Sequence, residues 1–563
     1  MFSVQKDREV RLARASVRFD LIVIGGGVNG CGISWDAALR GLRVLLLEKE
    51  DFGWATSAWN SRLIHGGLKY LEKYDVRLVR ESLREREWML HAAPHLVIPL
   101  RFVLPFYSRN AHPKLMLRTG LVAYDALSFD KSTPNHRVHS PRQTLDLIPG
   151  LNQEGLQGSG TYYDGQVPYS ERLVVETAVA AAAGGAVVLN HARVDRLLTE
   201  GGEVRGVEFT DTLTGTSYTA KGAAVVNSAG PWVDEVLLGT GQTRKPMMGG
   251  TKGTHLIVDS FPGAPTNSAM YYEALTDGRP MMVIPWLGRY IIGATDVRFE
   301  GDLDKASLDE EELRYILHET NRVIPGANLT PADVQWSYTG VRPLPYKASG
   351  PTGDITRRHI VHHHADDEHG RIRGLFSVIG GKLTTFRALA EHVNDDVLHH
   401  LPASTRKRSA TTRQSRLPGA QTLDWERFVK DFRRSSTLSD AAAQRLLSIY
   451  GTRAVEVQAL ADVDPELALP VDGVDGLLAT EIAFAIQQEG AATLTDIVAR
   501  RIMTGLESDL GQSSLAAVAA VAAGQAGWSQ EQTEKQIADY REYITKLTRT
   551  AAVAANYFDL GVS

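Results

Sequence analysis

Residues 20–50 read DLIVIGGGVNGCGISWDAALRGLRVLLLEKE, and this stretch decides the fold. Leu21, Ile22, Val23 and Ile24 form an apolar run cut off by glycines, the pattern of a buried parallel strand. Gly25, Gly27 and Gly30, with Gly26 between the first two, fit G-x-G-x-x-G. The first glycine permits a tight turn, the second lets a pyrophosphate approach the backbone, and the third lets the helix pack on the strand. A helical pattern runs from about Asn29 to Arg40, with its N-terminal amides directed at the phosphates. Gly41 closes that helix, and Val44, Leu45, Leu46 and Leu47 make the second strand. Glu48 ends it, where a carboxylate can accept hydrogen bonds from ribose hydroxyls. This order predicts a dinucleotide-binding βαβ unit. The acid admits FAD or NAD alike, so the cofactor is decided elsewhere.

The 563 residues allow two to four domains and a large core. Hydrophobic and charged contents of 43% and 23% are those of a soluble globular protein. A net charge of −5 gives no global electrostatic case for nucleic acid. The single cysteine, Cys31, has no partner for an internal disulfide, which fits a reducing cytosol. No apolar run reaches the roughly 18 residues of a membrane span. Residues 1–18 are basic without an apolar core, and read as a mobile arm rather than a signal peptide.

After the nucleotide unit, residues 53–71 mix small hydroxyl side chains, aromatics and paired glycines, suggesting backbone held close to a ligand. Residues 72–92 have the spacing of a solvated amphipathic helix. Residues 113–129 mix apolar and basic side chains; they suit either a membrane surface or a core-facing helix. Residues 173–183 form an alanine-rich helix, and 203–209 pairs with 216–220 as antiparallel strands. Ala223–Asn227 is a buried strand ending in a small-residue turn that contains Ala229 and Gly230. Such turns lie where ligands bind in open α/β sheets. Residues 250–345 read as an antiparallel substrate domain, and the acidic run 309–312 begins a solvated helix. His362, His363, His364 and His369 lie in a polar hairpin and read as an exposed turn, so no metal site is expected. Gly381, Lys382, Leu383 and Thr384 belong to a second glycine turn opening a helix. Residues 401–420 read as a linker and 421–563 as a helical domain with a structural role.

Eight segments occur in order: IGGGVNG, ATSAWNSRLIHGGLKYLE, NSAGPW, KGTHLIV, YIIGATD, YTGVRPL, DITR and IGGKLTTFR. Together they resemble the FAD-dependent glycerol-3-phosphate dehydrogenases of the bacterial aerobic type. The likeness runs from about residue 18 to 395 and continues more weakly in EIAFAIQQEGAATLTDIVARRIMTG. It implies a mixed α/β fold. A discontinuous Rossmann-like FAD-binding domain spans 19–400 and carries an inserted antiparallel-sheet substrate domain, mainly 250–345. This is the arrangement of glutathione reductase and D-amino-acid oxidase, here followed by an all-α C-terminal domain. The FAD-contacting set it implies includes Gly25, Gly26, Gly27, Asn29, Gly30, Glu48, Thr56, Ser57, Ser61, His65, Gly66, Gly67, Ala229, Gly230, Gly381, Lys382, Leu383 and Thr384.

The resemblance implies oxidation of sn-glycerol 3-phosphate to dihydroxyacetone phosphate, with electrons passed to a membrane quinone. The protein is then expected in the cytoplasm, peripherally bound to the inner membrane face, with a homodimer left open. A phosphate dianion calls for cations. By resemblance, Arg342, Arg357 and Lys382 approach it, with Lys69 and Tyr70 on the opposite wall. Lys69 stands where the family commonly has arginine, which keeps the charge and loses the fork. His255 is the preferred base because imidazole titrates near neutrality, and His65 is the second candidate. Three alternatives are weighed: a glycerol-3-phosphate oxidase using oxygen, a flavin amine oxidase, and a flavin-binding scaffold or sensor without turnover. The three cations Arg342, Arg357 and Lys382 argue against the amine oxidase.

Overall fold

The apolar run of the opening stretch lies in the strand Arg18–Ile24, where Leu21, Ile22 and Val23 are fully buried. A computed structural model describes residues 4–239, 245–403 and 409–548 of the chain. In it Arg18–Ile24 pairs in parallel with Val44–Leu47 on one side and Thr216–Asn227 on the other. The sheet continues through Val187–Leu189 at one end, and through Leu375–Ile379 to the edge strand Ile360–His363 at the other. Its parallel members carry Val, Ile and Leu on both faces, because helices cover one side and the antiparallel strands Ala192–Glu200 and Glu203–Asp211 curl over the other. The helices Val28–Leu39, Ser170–Ala183 and Phe386–His400 pack there, closely enough that a Cβ on Gly32 would stand 2.7 Å from Phe386.

The second sheet has ten strands. Residues 250–345 supply Thr251–Val258, Ala269–Glu273, Pro280–Trp286, Arg289–Gly293, Val297–Arg298 and Val334–Arg342. The remainder come from earlier in the chain: Leu63–Ile64, Ile98–Tyr107, Arg137–His139 and Leu156–Gln166. The two contributions meet where Ala269–Glu273 runs parallel to Ile98–Tyr107. The second sheet therefore draws on residues 63–166 as well as on 250–345. The segment LQGSGTYYDGQ hides its strand because its glycines break the alternation of apolar and polar residues.

Other expectations change on folding. The basic arm is a helix over Val4–Arg14, docked rather than mobile: Arg8 Nη2 lies 2.7 Å from the buried Asp211 carboxylate, and Leu12 is buried. The acidic helix Glu310–Val323 starts with a capping box from Asp309, yet Glu312 turns inward and accepts hydrogen bonds from Thr254 and Thr295. The helical pattern of 480–505 is broken by Gly490 in the left-handed conformation after Ala479–Glu489; a π-helical turn, Ile497–Arg501, follows. Among the described residues, no helix is long and apolar enough to cross a membrane.

Candidate active site

One cavity of about 1170 Å³ lies between the two sheets, and both glycine turns open into it. At the first turn a Cβ on Gly30 would stand 1.8 Å from the Gly25 carbonyl oxygen, so only glycine lets the helix begin so close to the strand. Val28 N donates to Ser57 Oγ at 3.0 Å, tying the helix N-terminus to the 53–61 loop. Glu48 accepts from Gly26 N at 2.5 Å, from Glu50 N at 2.9 Å and from Trp54 Nε1 at 3.0 Å. Burial raises its pKa despite these donors. The second turn faces the first: a Cβ on Gly381 would meet the Asn29 amide at 2.8 Å. A long dinucleotide fits this cradle, where backbone approaches without side chains in the way.

Most of the expected cofactor-contacting residues line the cavity: Gly25, Gly27, Asn29, Glu48, Thr56, Ser57, Ser61, His65, Gly67, Ala229, Gly230, Gly381, Lys382, Leu383 and Thr384. Gly26, Gly30 and Gly66 do not. Gly26 is covered by Glu48 and Phe52, Gly30 by Gly25, and Gly66 by Tyr124 and Leu83, so these glycines serve packing behind the wall. Thr56 Oγ1 is engaged with the Val341 carbonyl at 2.7 Å.

Lys69, Tyr70, His255, Arg342, Arg357 and Lys382 all line the same cavity. Arg342 lies across the Thr251–Val258 strand. A Cβ on Gly253 would stand 2.1 Å from Arg342 Nη2, so that glycine makes room for the guanidinium. Arg342 Nη2 donates to the Thr295 carbonyl at 2.9 Å, and Nη1 meets Asp296 Oδ1 at 3.2 Å. Asp296 Oδ2 meets Arg357 Nη2 at 3.2 Å. One carboxylate thus aligns two guanidiniums. Burial opposes its charge, but Arg342, Thr251 and Arg357 outweigh burial and hold the Asp296 pKa below the usual range. Arg357 Nη1 is buried without a hydrogen-bond partner among the described residues.

Lys382 Nζ donates to Ser82 Oγ at 2.6 Å and sits 4.5 Å from the centre of the Tyr70 ring. Burial, against weak help from Glu81 and Asp75, pushes its pKa down to about 7. Lys69 is also lowered by burial, with Glu72 opposing. Both imidazoles are held neutral. Burial and then Arg342 and Arg62 push His255 down to about 3, and burial and Lys382 push His65 down to about 4. His255 stacks on Tyr338 with ring centres 4.9 Å apart, and its Nε2 lies 2.8 Å from Ser61 Oγ. Its Nδ1 is buried without a partner among the described residues.

The fold adds residues to which sequence reading assigned no role. Asp296 closes the matched segment YIIGATD, but nothing local showed that it aligns two arginines. Arg279 enters the cavity from the turn before Pro280. Asp164 lines it too, accepting from Arg86 Nη1 and Tyr124 Oη at 2.7 Å and from Gly66 N at 3.1 Å. It fixes the loop that carries His65. Nothing in the linear sequence signals this, because Arg86, Tyr124 and Asp164 lie on separate elements.

Known proteins match this chain along nearly its whole length. The FAD dependent oxidoreductase family model matches residues 20–393, and the model described as the C-terminal domain of alpha-glycerophosphate oxidase matches 410–533. A glycerol-3-phosphate dehydrogenase of Synechocystis sp. is 43% identical, the match covering 93% of this chain and 96% of that protein. Glycerol-3-phosphate dehydrogenase 2 of Mycobacterium tuberculosis is 36% identical over 93% of this chain and 87% of its own length. The crystal structure of the glycerol-3-phosphate dehydrogenase from Bacillus halodurans complexed with FAD superposes with a TM-score of 0.76 at 27% identity, covering 97% of this chain and 98% of that one.

Proposed function

This chain belongs to the FAD-dependent glycerol-3-phosphate dehydrogenases, and we propose that it oxidises sn-glycerol 3-phosphate to dihydroxyacetone phosphate and delivers the electrons to a membrane quinone. FAD is the cofactor, and the cradle of Gly25, Gly27, Asn29, Gly381 and Leu383 suits it. When bound, it supplies the hydride acceptor. The observation that carries the substrate is the pair Arg342 and Arg357, aligned by Asp296 in the same cavity, with the buried Arg357 Nη1 unpartnered among the described residues. A phosphate dianion offers these forks more acceptor oxygens than one carboxylate does. Lys69, Tyr70 and Lys382 complete the wall around it.

His255 takes the C2 hydroxyl proton. It is neutral at pH 7 and therefore in its base form, and Ser61 steadies its ring. Burial, and after it Arg342 and Arg62, hold its basicity down. A phosphate dianion on Arg342 offsets the part of that lowering that comes from its positive charge. His65, pinned through Gly66 by Asp164, orients the reacting end from its own wall and is the second candidate base.

The quinone reading rests on the resemblance of the eight sequence segments to the bacterial aerobic-type dehydrogenases. A membrane contact is supported by the helix Lys114–Leu127, which exposes Leu115, Met116 and Val122 beside Arg118. The competing acceptor is oxygen, because the matched C-terminal model is described from an oxidase. One anaerobic experiment tests both steps. Adding sn-glycerol 3-phosphate should bleach the absorbance near ~450 nm within seconds, and glycerol should not. Loss of bleaching sinks the substrate assignment. Recovery of colour with a soluble quinone, much faster than with air, supports the quinone; peroxide formed at a comparable rate favours the oxidase.

A further inference from the structure

The hairpin between Ile360–His363 and Leu375–Ile379 departs from its sequence reading. His362 lies in the edge strand and His364 in the turn just past it, their ring centres are 4.7 Å apart, and His364 is fully buried rather than exposed. The turn that follows brings Asp367 back between them. His362 Nε2 lies 2.7 Å from Asp367 Oδ1, and His364 Nδ1 lies 3.0 Å from Asp367 Oδ2. The candidate donor atoms of the three residues all fall within 4.8 Å of one another. The far nitrogen of His364, Nε2, lies 2.8 Å from Ser377 Oγ on the neighbouring strand.

Two imidazole nitrogens face one carboxylate, and either their own N–H groups bridge to it or a metal ion takes the place of those protons. We infer that His362, His364 and Asp367 form a divalent transition-metal site of the zinc class, separate from the active-site cavity. The donor set decides the class: two imidazoles and one carboxylate suit zinc with water in the fourth position, whereas calcium and magnesium need mostly oxygen. Ser377 supplies what such a histidine requires, a partner for its second ring nitrogen, while Nδ1 is turned toward Asp367. The His362 side chain is 34% exposed, which leaves an entry path for the ion. None of the three lines the cavity. The ion would close the hairpin onto the strand that runs into Gly380, Gly381 and Lys382, bracing the edge of the sheet.

The test uses the full-length, FAD-loaded protein with any affinity tag removed. It is incubated with zinc chloride, desalted, and its zinc measured by mass spectrometry. The expected result is about one zinc per chain and a Tm raised by about 3 °C, reversed by chelator. His362→Gln and Asp367→Asn should each cut retention at least about tenfold while keeping the flavin absorbance that reports a folded enzyme. His363→Gln serves as the control, because His363 faces the other way and meets Asp396 at 2.9 Å. It should retain zinc as the parent does. Absence of retained zinc, or retention that survives in both His362→Gln and Asp367→Asn, overturns the site.

Discussion

The cavity and the junction with the C-terminal helices both bury arginines, and they treat them in opposite ways. At the junction each carboxylate is shared at full contact. Glu489 meets Arg172 at 2.5 Å and Arg453 at 2.6 Å, and Asp51 meets Arg500 at 2.6 Å and Arg501 at 2.7 Å. Arg172 and Glu489 are both 0% exposed. In the cavity Arg342 and Arg357 share Asp296 at 3.2 Å each, with side chains 30% and 18% exposed. At the junction the carboxylates sit at full contact, although Arg172 Nε has no partner among the described residues; the cavity holds its cations with a more distant counter-ion. A charge network satisfied by the protein serves to fix one arrangement of domains. One left short of acceptors is poised for a ligand.

The sharpest way to break this contrast is to exchange its consequences. Arg342→Met should lower kcat/KM for sn-glycerol 3-phosphate about 1,000-fold, about 4 kcal/mol of transition-state binding, with Tm nearly unchanged. A fall in Tm as large as that in activity would mean that Arg342 is structural. Glu489→Gln should do the reverse. Removing one partner of a buried pair costs about 3 kcal/mol or more, read as a lowered denaturant midpoint, while the folded fraction turns over normally. Acid sharpens the point. Burial alone would raise the Glu489 pKa, but Arg172 and Arg453 reverse that and bring it to about 2, below its ordinary 4.5. Its stabilisation is therefore complete above about pH 4.5 and is lost as pH falls through about 2. The stability gap between parent and Glu489→Gln should narrow over that window.

Much of the cavity was legible in the chain because its parts are local. The two glycine turns each sit at a strand end, and a turn of that kind announces itself by spacing alone. Arg342, Arg357 and Lys382 lay in segments that could be matched one by one. What stayed hidden was whatever the fold assembles from distant elements. Asp296 aligns arginines 46 and 61 residues downstream. Arg86, Tyr124 and Asp164 meet only once a helix pair packs on a strand too rich in glycine to show its alternation. The junction was equally silent: Asp51 and Arg501 stand 450 residues apart. Residues 401–420 read as a linker, yet Thr412 Oγ1 reaches the buried Asp36 and Gly419 N reaches Glu176. Polar composition marks solvent only when no partner waits in the fold.

Lys382 gives a smaller and more selective test, because its charge depends on pH as an arginine's does not. With its pKa pushed down to about 7, it is charged below neutrality and loses its proton above it. The phosphate of the substrate is already a dianion by then, since its second pKa is about 6. KM should therefore rise about tenfold between about pH 6.5 and pH 8.5, with kcat much less affected. Lys382→Arg should flatten that limb.

The smallest effect concerns Lys69, where the sequence resemblance leads one to expect an arginine. Lys69 lines the cavity, but its single ammonium cannot present two parallel donors to a phosphate. Burial lowers its pKa, and Glu72 only partly compensates. Lys69→Arg restores the fork and a charge that does not titrate. If the cavity is a site waiting for its anion, KM should fall about threefold, under 1 kcal/mol, with kcat and Tm unchanged. If Lys69 instead serves a protein carboxylate, as the junction arginines do, the longer side chain should leave KM alone and change stability. The direction of that one small change decides to which of the two kinds of charged region this wall belongs.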